Sequence, residues 1–257
     1  MTPLQALLGI LVGFIAGILA GALGIGGGTV TTPAVEVLLG GTAIQAVATP
    51  LPVIFPTAIS GAIRYHRAGE ISYRAVKWAA LPGALGAVGG AYLTEIVNTR
   101  WLLLVIAVLL GAEAVRLAIG GEVKERPRGS TPGWQYAFVG LAAGLVSGLL
   151  GVGGGIVFVP AVTGLLGMPV KRALGTSLAL ITALVIPGTL VHASLGNIDW
   201  AIFAVLVIGV VPGAQIGAAW ALRARERTLR MTVAIFLLTV AVGYGALETL
   251  KLIGTIQ

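Results

Sequence analysis

The chain reads as an all-α integral membrane protein. It is built from two inverted repeats, each of four long transmembrane helices plus one short broken or half helix after a glycine loop. Three observations predict this class. Of 257 residues, 57% are hydrophobic and only 10% charged, with a mean hydropathy of +1.02; a soluble domain carries about 25% charged residues. The apolar residues lie in unbroken runs near the length of a bilayer crossing, about 20 residues. A glycine-rich motif occurs twice at a fixed offset. This composition excludes a soluble enzyme, a disordered chain and a secreted disulfide scaffold, and the runs lack the alternation of a transmembrane β-barrel. With no cysteine, disulfides and thiolate metal sites are excluded. The net charge of +7 comes from short basic clusters between apolar runs. That is the positive-inside pattern of a membrane protein, so no nucleic-acid partner is expected.

In chain order, residues 4–23 form the first span. No Lys or Arg precedes them, so the segment reads as a span and not as a secretory signal. Gly24-Ile25-Gly26-Gly27-Gly28 interrupts it. Residues 29–39 are then too short for an ordinary crossing, about 17 Å of helix. Spans follow at 43–63, 73–94 and 100–119. A polar stretch rich in Gly, Pro and Arg, 120–133, links the halves. The second half repeats the order: 135–150, the cluster 151–155, a short segment at 156–166, then 170–191, 200–222 and 229–253. The units are 1–119, a cytoplasmic linker 120–133, and 134–257.

The duplication is explicit. At an offset of 127 residues, 17–40 aligns with 144–167, and 22 of 55 positions are identical over 17–71. Chance in so biased a composition gives roughly a tenth. Charge then sets orientation. The basic clusters are Arg64, Arg67, Arg74 and Lys77; Arg116, Lys124, Arg126 and Arg128; Lys171 and Arg172; and Arg223, Arg225, Arg227 and Arg230. Four crossings per half in parallel would put the last cluster opposite the first, against the positive-inside rule. If the short segments also cross, the second repeat is inverted. All four clusters then face the cytoplasm and both termini lie outside.

The glycine clusters are the first candidates for chemistry. Successive backbone N–H groups form an anion-binding concavity, and a helix N-terminus adds positive potential. Inversion brings Gly26, Gly27 and Gly28 and Gly153, Gly154 and Gly155 from opposite faces to one central site. The alternative is tight turns and close packing. By contrast, Gly9, Gly13, Gly17 and Gly21, and Gly140, Gly144 and Gly148, recur every four residues and read as packing stripes.

Polar residues within spans come next. Thr49 aligns with Thr176, which Ser177 follows. Their hydroxyls suit either a bound oxyanion or a carbonyl one turn back. Gln215, beside Pro212-Gly213, suits the site or interhelical contact. Thr29, Thr31 and Thr32 give the first loop hydroxyls that Ile156, Phe158 and Val159 deny the second. Glu36, an acid isolated in an apolar stretch, is a proton-coupling candidate; otherwise it is a hydrogen-bonded Glu at the wet end of a short helix. His66 and His192 read as solvated loop residues. No HExxH, paired acids or Ser-His-Asp pattern occurs, so neither an enzyme nor a metal or cofactor is expected. The reading is a carrier that moves a small anion by alternating access, the alternative being a passive anion channel or uniporter. Its partners are the anion and the lipid bilayer; a homodimer is left open.

The duplicated GxGGG, each followed by a Pro-Ala pair (Pro33-Ala34, Pro160-Ala161), resembles the sulfite exporter TauE/SafE family of bacterial membrane transporters. Similar too are Ala173-x-x-Thr176-Ser177-Leu178, Gly196-Asn197-Ile198-Asp199-Trp200 and the Pro-Gly-Ala pairs. The resemblance covers essentially the whole chain. It implies export of sulfur oxyanions or organosulfonates, such as sulfite or sulfoacetate, across the inner membrane. It also implies site elements at Gly26, Gly27, Gly28, Gly153, Gly154, Gly155, Thr49, Thr176 and Ser177. The chain departs from the pattern in its first half, where Pro50 takes the serine position.

Overall fold

Thr2 opens the first helix with a capping box: its hydroxyl accepts from the Gln5 N–H at 3.2 Å, and Gln5 Oε1 accepts from the Thr2 N–H at 2.8 Å. The computed structural model describes residues 2–93, 131–150 and 153–254, together with 108, 111, 112, 114, 115, 118 and 119. In order the helices are α1 (Pro3–Leu23), α2 (Gly28–Val37), α3 (Ala43–Ala48), α4 (Pro50–Arg67) and α5 (Tyr73–Leu93), then α6 (Gly133–Leu150), α7 (Gly155–Gly164), α8 (Val170–Ser194), α9 (Trp200–Arg223) and α10 (Glu226–Gly254). No strand occurs among the described residues. Most of the expected span at 100–119, most of the linker, and Gly151 and Val152 lie outside them.

The element boundaries follow the repeat. The two short helices each have 10 residues and start at Gly28 and Gly155, positions that the offset aligns. The expected span 43–63 is broken where its counterpart α8 is continuous. Pro50 is the reason: it has no N–H for the Ala46 carbonyl, and its ring crowds that turn. A second capping box, Thr42 with Gln45, starts α3. His66 and His192 are not in loops but in the last turns of α4 and α8. His66 Nδ1 lies 2.7 Å from the Tyr73 hydroxyl.

Glycine contacts set the helix directions. Along α1, Gly9 faces Val205, Gly13 faces Leu206, Gly17 faces Val210 and Gly21 faces Ala214, so α1 and α9 run parallel. Gly140 faces Ala79 and Gly144 faces Gly83, so α5 and α6 run parallel. A Cβ on Gly9 would meet the Val205 side chain; on Gly13, Gly17, Gly21, Gly140 and Gly144 it would meet main-chain atoms of the neighbour, which is the purpose of the four-residue stripes. Thr49 meets Asp199 and Ser60 meets Val211, so α4 follows α9. Ser72 meets Thr176 and Gly83 meets Leu184, so α5 follows α8. Between α4 and α8, Leu51 packs on Gly188 and Leu178 on Gly61, which makes this repeat-aligned pair antiparallel. α2 doubles back beside α1: Gly27 lies against Ala16 and Ala20, whereas Leu39 packs on Gly9 and Gly40 lies near Gln5.

These directions sort the charge. The basic clusters 64–77, 171–172 and 223–230 come together at one end. There the Lys171 ammonium donates to the Leu222 carbonyl at 2.8 Å, and the Val170 N–H donates to Glu226 at 3.4 Å. The other end holds Thr2, Thr42 and Asp199. Outward faces are apolar: Leu4, Leu7, Leu11 and Ile15 form an exposed stripe on α1, and Leu81 and Leu85 are exposed on α5. Water would not tolerate so much bare apolar surface. α1, α8 and α9 are each long and apolar enough to cross a bilayer. The chain is a multi-pass helical membrane protein.

Gly144→Ala should therefore lower the melting temperature in detergent, by about 1–3 kcal/mol of overpacking against the Gly83 backbone. Gly89→Ala, where a Cβ meets nothing within 4 Å, should be neutral or slightly stabilising.

Candidate substrate site

Both glycine clusters turn the chain through left-handed backbone. Gly24 ends α1 at φ 70°, with its N–H donating to the Ala20 carbonyl, and Gly26 and Gly27 both have φ 83°. Gly153 and Gly154 repeat this at φ 82° and 73°. Glycine alone takes such angles without strain, which is why the cluster is duplicated. Gly27 and Gly154 are the N-caps of α2 and α7, and neither helix has a side-chain cap.

The two loops meet. A Cβ on Gly155 would overlap the Gly24 carbonyl oxygen, and one on Gly153 would lie 3.5 Å from the Ile25 carbonyl oxygen. Ile54 and Ile181, identical residues at the repeat offset, flank both loops. A Cβ on Gly26 would lie 3.0 Å from Ile54 Cγ2 and 3.4 Å from Ile181 Cγ2. One on Gly153 would lie 3.6 Å from each isoleucine. The structure thus brings Gly26 and Gly153 together between one isoleucine pair. Gly28 and Gly155 are buried there as the first residues of their half-helices.

Freed polar groups are treated unequally. On the carbonyl side, Tyr65 Oη donates to Gly21 O at 3.1 Å, Ser177 Oγ to Gly24 O at 2.7 Å and Thr31 Oγ1 to Gly27 O at 3.2 Å. On the amide side, the Val30 and Thr31 N–H groups reach the Gly27 carbonyl, and Val157 and Phe158 reach that of Gly154. Among the described residues, the N–H groups of Gly27, Gly28 and Thr29 and of Gly154, Gly155 and Ile156 find no acceptor. The hydroxyls of Thr29 and Thr32 are also buried without a partner there. Two half-helix N-termini thus lie close together, each with amides that find no acceptor among the described residues.

The other expected residues are distributed around this centre. Thr49 and Thr176 are fully buried, each five residues before its isoleucine, about 7.5 Å of helix rise. Their hydroxyls are engaged by protein. Thr49 Oγ1 accepts from the Asp199 N–H at 3.1 Å. Thr176 Oγ1 accepts from the Ser72 N–H at 2.9 Å and donates to the Arg172 carbonyl at 2.6 Å. Ser177 supports the first loop; its counterpart Pro50 has no hydroxyl to support the second. Gln215 is half-buried on α9 beside Ala214, the residue that faces Gly21. Glu36 lies in the last turn of α2, and its side chain falls outside the described residues. Sequence reasoning missed Ile54, Ile181 and Tyr65. The isoleucines had a usable signal in their identity at the offset; Tyr65 sits in a polar stretch and had none.

The loops should differ in tolerance. Gly27→Ala meets atoms no closer than 3.4 Å and adds only the strain of its positive φ, about 1–2 kcal/mol. Gly154→Ala adds a contact of 2.7 Å with the Ala143 carbonyl oxygen, so its melting temperature in detergent should fall further.

Comparison with known proteins agrees with the motif pattern. The family model described as "Sulfite exporter TauE/SafE" matches residues 9–244. A "Probable membrane transporter protein YunE" from Bacillus subtilis (strain 168) is 27% identical, the match covering 85% of this chain and 89% of that one. YjnA of the same organism is 29% identical over 84% and 90%. MJ0441 of Methanocaldococcus jannaschii is 24% identical over 84% and 85%; both carry the same description. No solved structure matches. With the family model covering nearly the whole chain, both glycine loops included, the chain belongs to the sulfite exporter TauE/SafE family of membrane transporters.

Proposed function

We propose that the chain is a secondary transporter of two inverted repeats. It carries a small sulfur-containing anion, sulfite or an organosulfonate such as sulfoacetate, outward across the bacterial cytoplasmic membrane by alternating access. The observation that carries this reading is the meeting of two half-helix N-termini whose amides lack acceptors among the described residues. The buried hydroxyls of Thr29 and Thr32 add donors on the first side. Backbone amides suit an oxyanion that must be released again, because they bind without a full opposing charge.

The antiparallel pairing of α4 with α8, and the parallel pairing of the first long helix of each half with the third of the other, support inversion. The gathering of basic clusters at one end supports a cytoplasmic position for that end and an external amino terminus. Sulfur chemistry and direction rest on the family description. Glu36, at the far end of the first half-helix, is the group proposed to couple a proton.

Counterflow in proteoliposomes with labelled sulfite, sulfoacetate, sulfate and thiosulfate tests the reading. Unlabelled substrate on the far side should accelerate exchange of at least one sulfur anion; equal flux with and without it would indicate a passive channel. Gly27→Val should weaken binding about tenfold or more by calorimetry, because a branched residue strains the left-handed loop that orients these amides. Glu36→Gln should abolish accumulation driven by a pH gradient and leave exchange intact. Unchanged accumulation would remove Glu36 from the mechanism.

A further inference from the structure

We infer that Thr49 and Thr176 are paired latches that hold the two ends of the permeation path shut, and that transport breaks them one at a time. This rests on the alternating-access reading above. The two hydrogen bonds are repeat-related at both partners: Thr49 with Thr176, and Asp199 with Ser72, each at the offset of 127 residues. Each is a fully buried threonine on the second long span of one half. Each accepts the N–H of the residue just before the third long helix of the other half. The bond therefore ties a helix of one repeat to a helix of the other, across the surface that moves when the repeats rock.

The two bonds also lie at opposite ends. Thr49 and Asp199 are at the end that carries Thr2 and Thr42, and Thr176 and Ser72 at the basic end, where Lys171 reaches Leu222. Both are formed in this structure, at 3.1 Å and 2.9 Å, with the glycine loops enclosed between them. Breaking the first opens the loops toward one side and breaking the second toward the other. The latches are not equal. Thr176 also donates to the Arg172 carbonyl within an unbroken helix, whereas Thr49 sits at the break before Pro50. At the Thr49 end the helical ladder lacks the hydrogen bond of Pro50, although Thr49 itself keeps helical angles, φ −65° and ψ −36°.

Leu51 and Leu178 report on the two ends. They are repeat-related, buried, and two residues beyond each threonine toward the loops; Leu51 packs on Gly188 and Leu178 on Gly61. The chain contains no cysteine, so Leu51→Cys and Leu178→Cys give a clean background. The probe is a membrane-impermeant maleimide applied to right-side-out and inside-out vesicles. Thr49→Val should raise labelling of Leu51→Cys from its own end about two- to tenfold and lower that of Leu178→Cys from the basic end. Thr176→Val should do the reverse, and Ser72→Pro, which deletes the donated N–H, should match it. Thr49→Ser and Thr176→Ser keep the acceptor and should leave both rates unchanged. Valine variants that raise labelling at both ends, or at neither, overturn the latch and leave the carrier reading standing. If a molecule with both cysteines and intact latches labels at both ends at once, the path is open throughout, and the carrier reading falls with the latch.

Discussion

A helix that breaks inside a membrane frees amides and carbonyls that hydrocarbon cannot solvate, so the break must be buried in protein or opened to a cavity. This chain has two such breaks and buries them against each other. Gly155 packs on the Gly24 carbonyl, Gly153 lies near that of Ile25, and one isoleucine from each half closes around both. The carbonyls have hydroxyl donors in Tyr65, Ser177 and Thr31; the amides of the half-helix starts have no acceptor among the described residues. Everything else in the bundle serves to bring these two places together.

Close approach of helices is the means. Lipid tails are as apolar as leucine, so helices in a bilayer associate through packing, with no gain from expelling water. α1 against α9, and α5 against α6, achieve this with glycines whose missing side chains leave room for the neighbour's main chain, while leucines face outward. Each of these pairs joins the first long helix of one half to the third of the other, so neither half buries its stripe alone. The hydrogen bonds from Asp199 and Ser72 to threonines of the opposite half follow the same exchange.

Much of this was legible in the sequence, because glycine at a four-residue period, a repeated GxGGG and a fixed offset are local patterns. The start of each short helix fell within one residue of the expected position. The break at Thr49 was hidden because prolines also occur inside intact spans, as Pro187 does in α8. The partners of Thr49, Thr176 and Ser177 were illegible for another reason. A hydroxyl in a span always seeks an acceptor or donor, but which one it finds, 104 to 153 residues away, is a property of packing. Ile54 and Ile181 look like any other core residue until the loops are seen between them. The chemical inequality of the halves, Ser177 against Pro50 and three threonines against Ile156, Phe158 and Val159, was visible in advance. The structure adds its use, a hydroxyl support under the first loop only.

The most direct test of the account is the sidedness of three exposed positions, Ala68, Leu195 and Thr228, each replaced in turn by cysteine in this cysteine-free chain. With an impermeant thiol reagent added outside intact cells, Leu195→Cys should label, and Ala68→Cys and Thr228→Cys should label only after the membrane is opened. Labelling of Thr228→Cys from outside, with Ala68→Cys protected, would put the two basic ends on opposite faces and contradict the inverted arrangement.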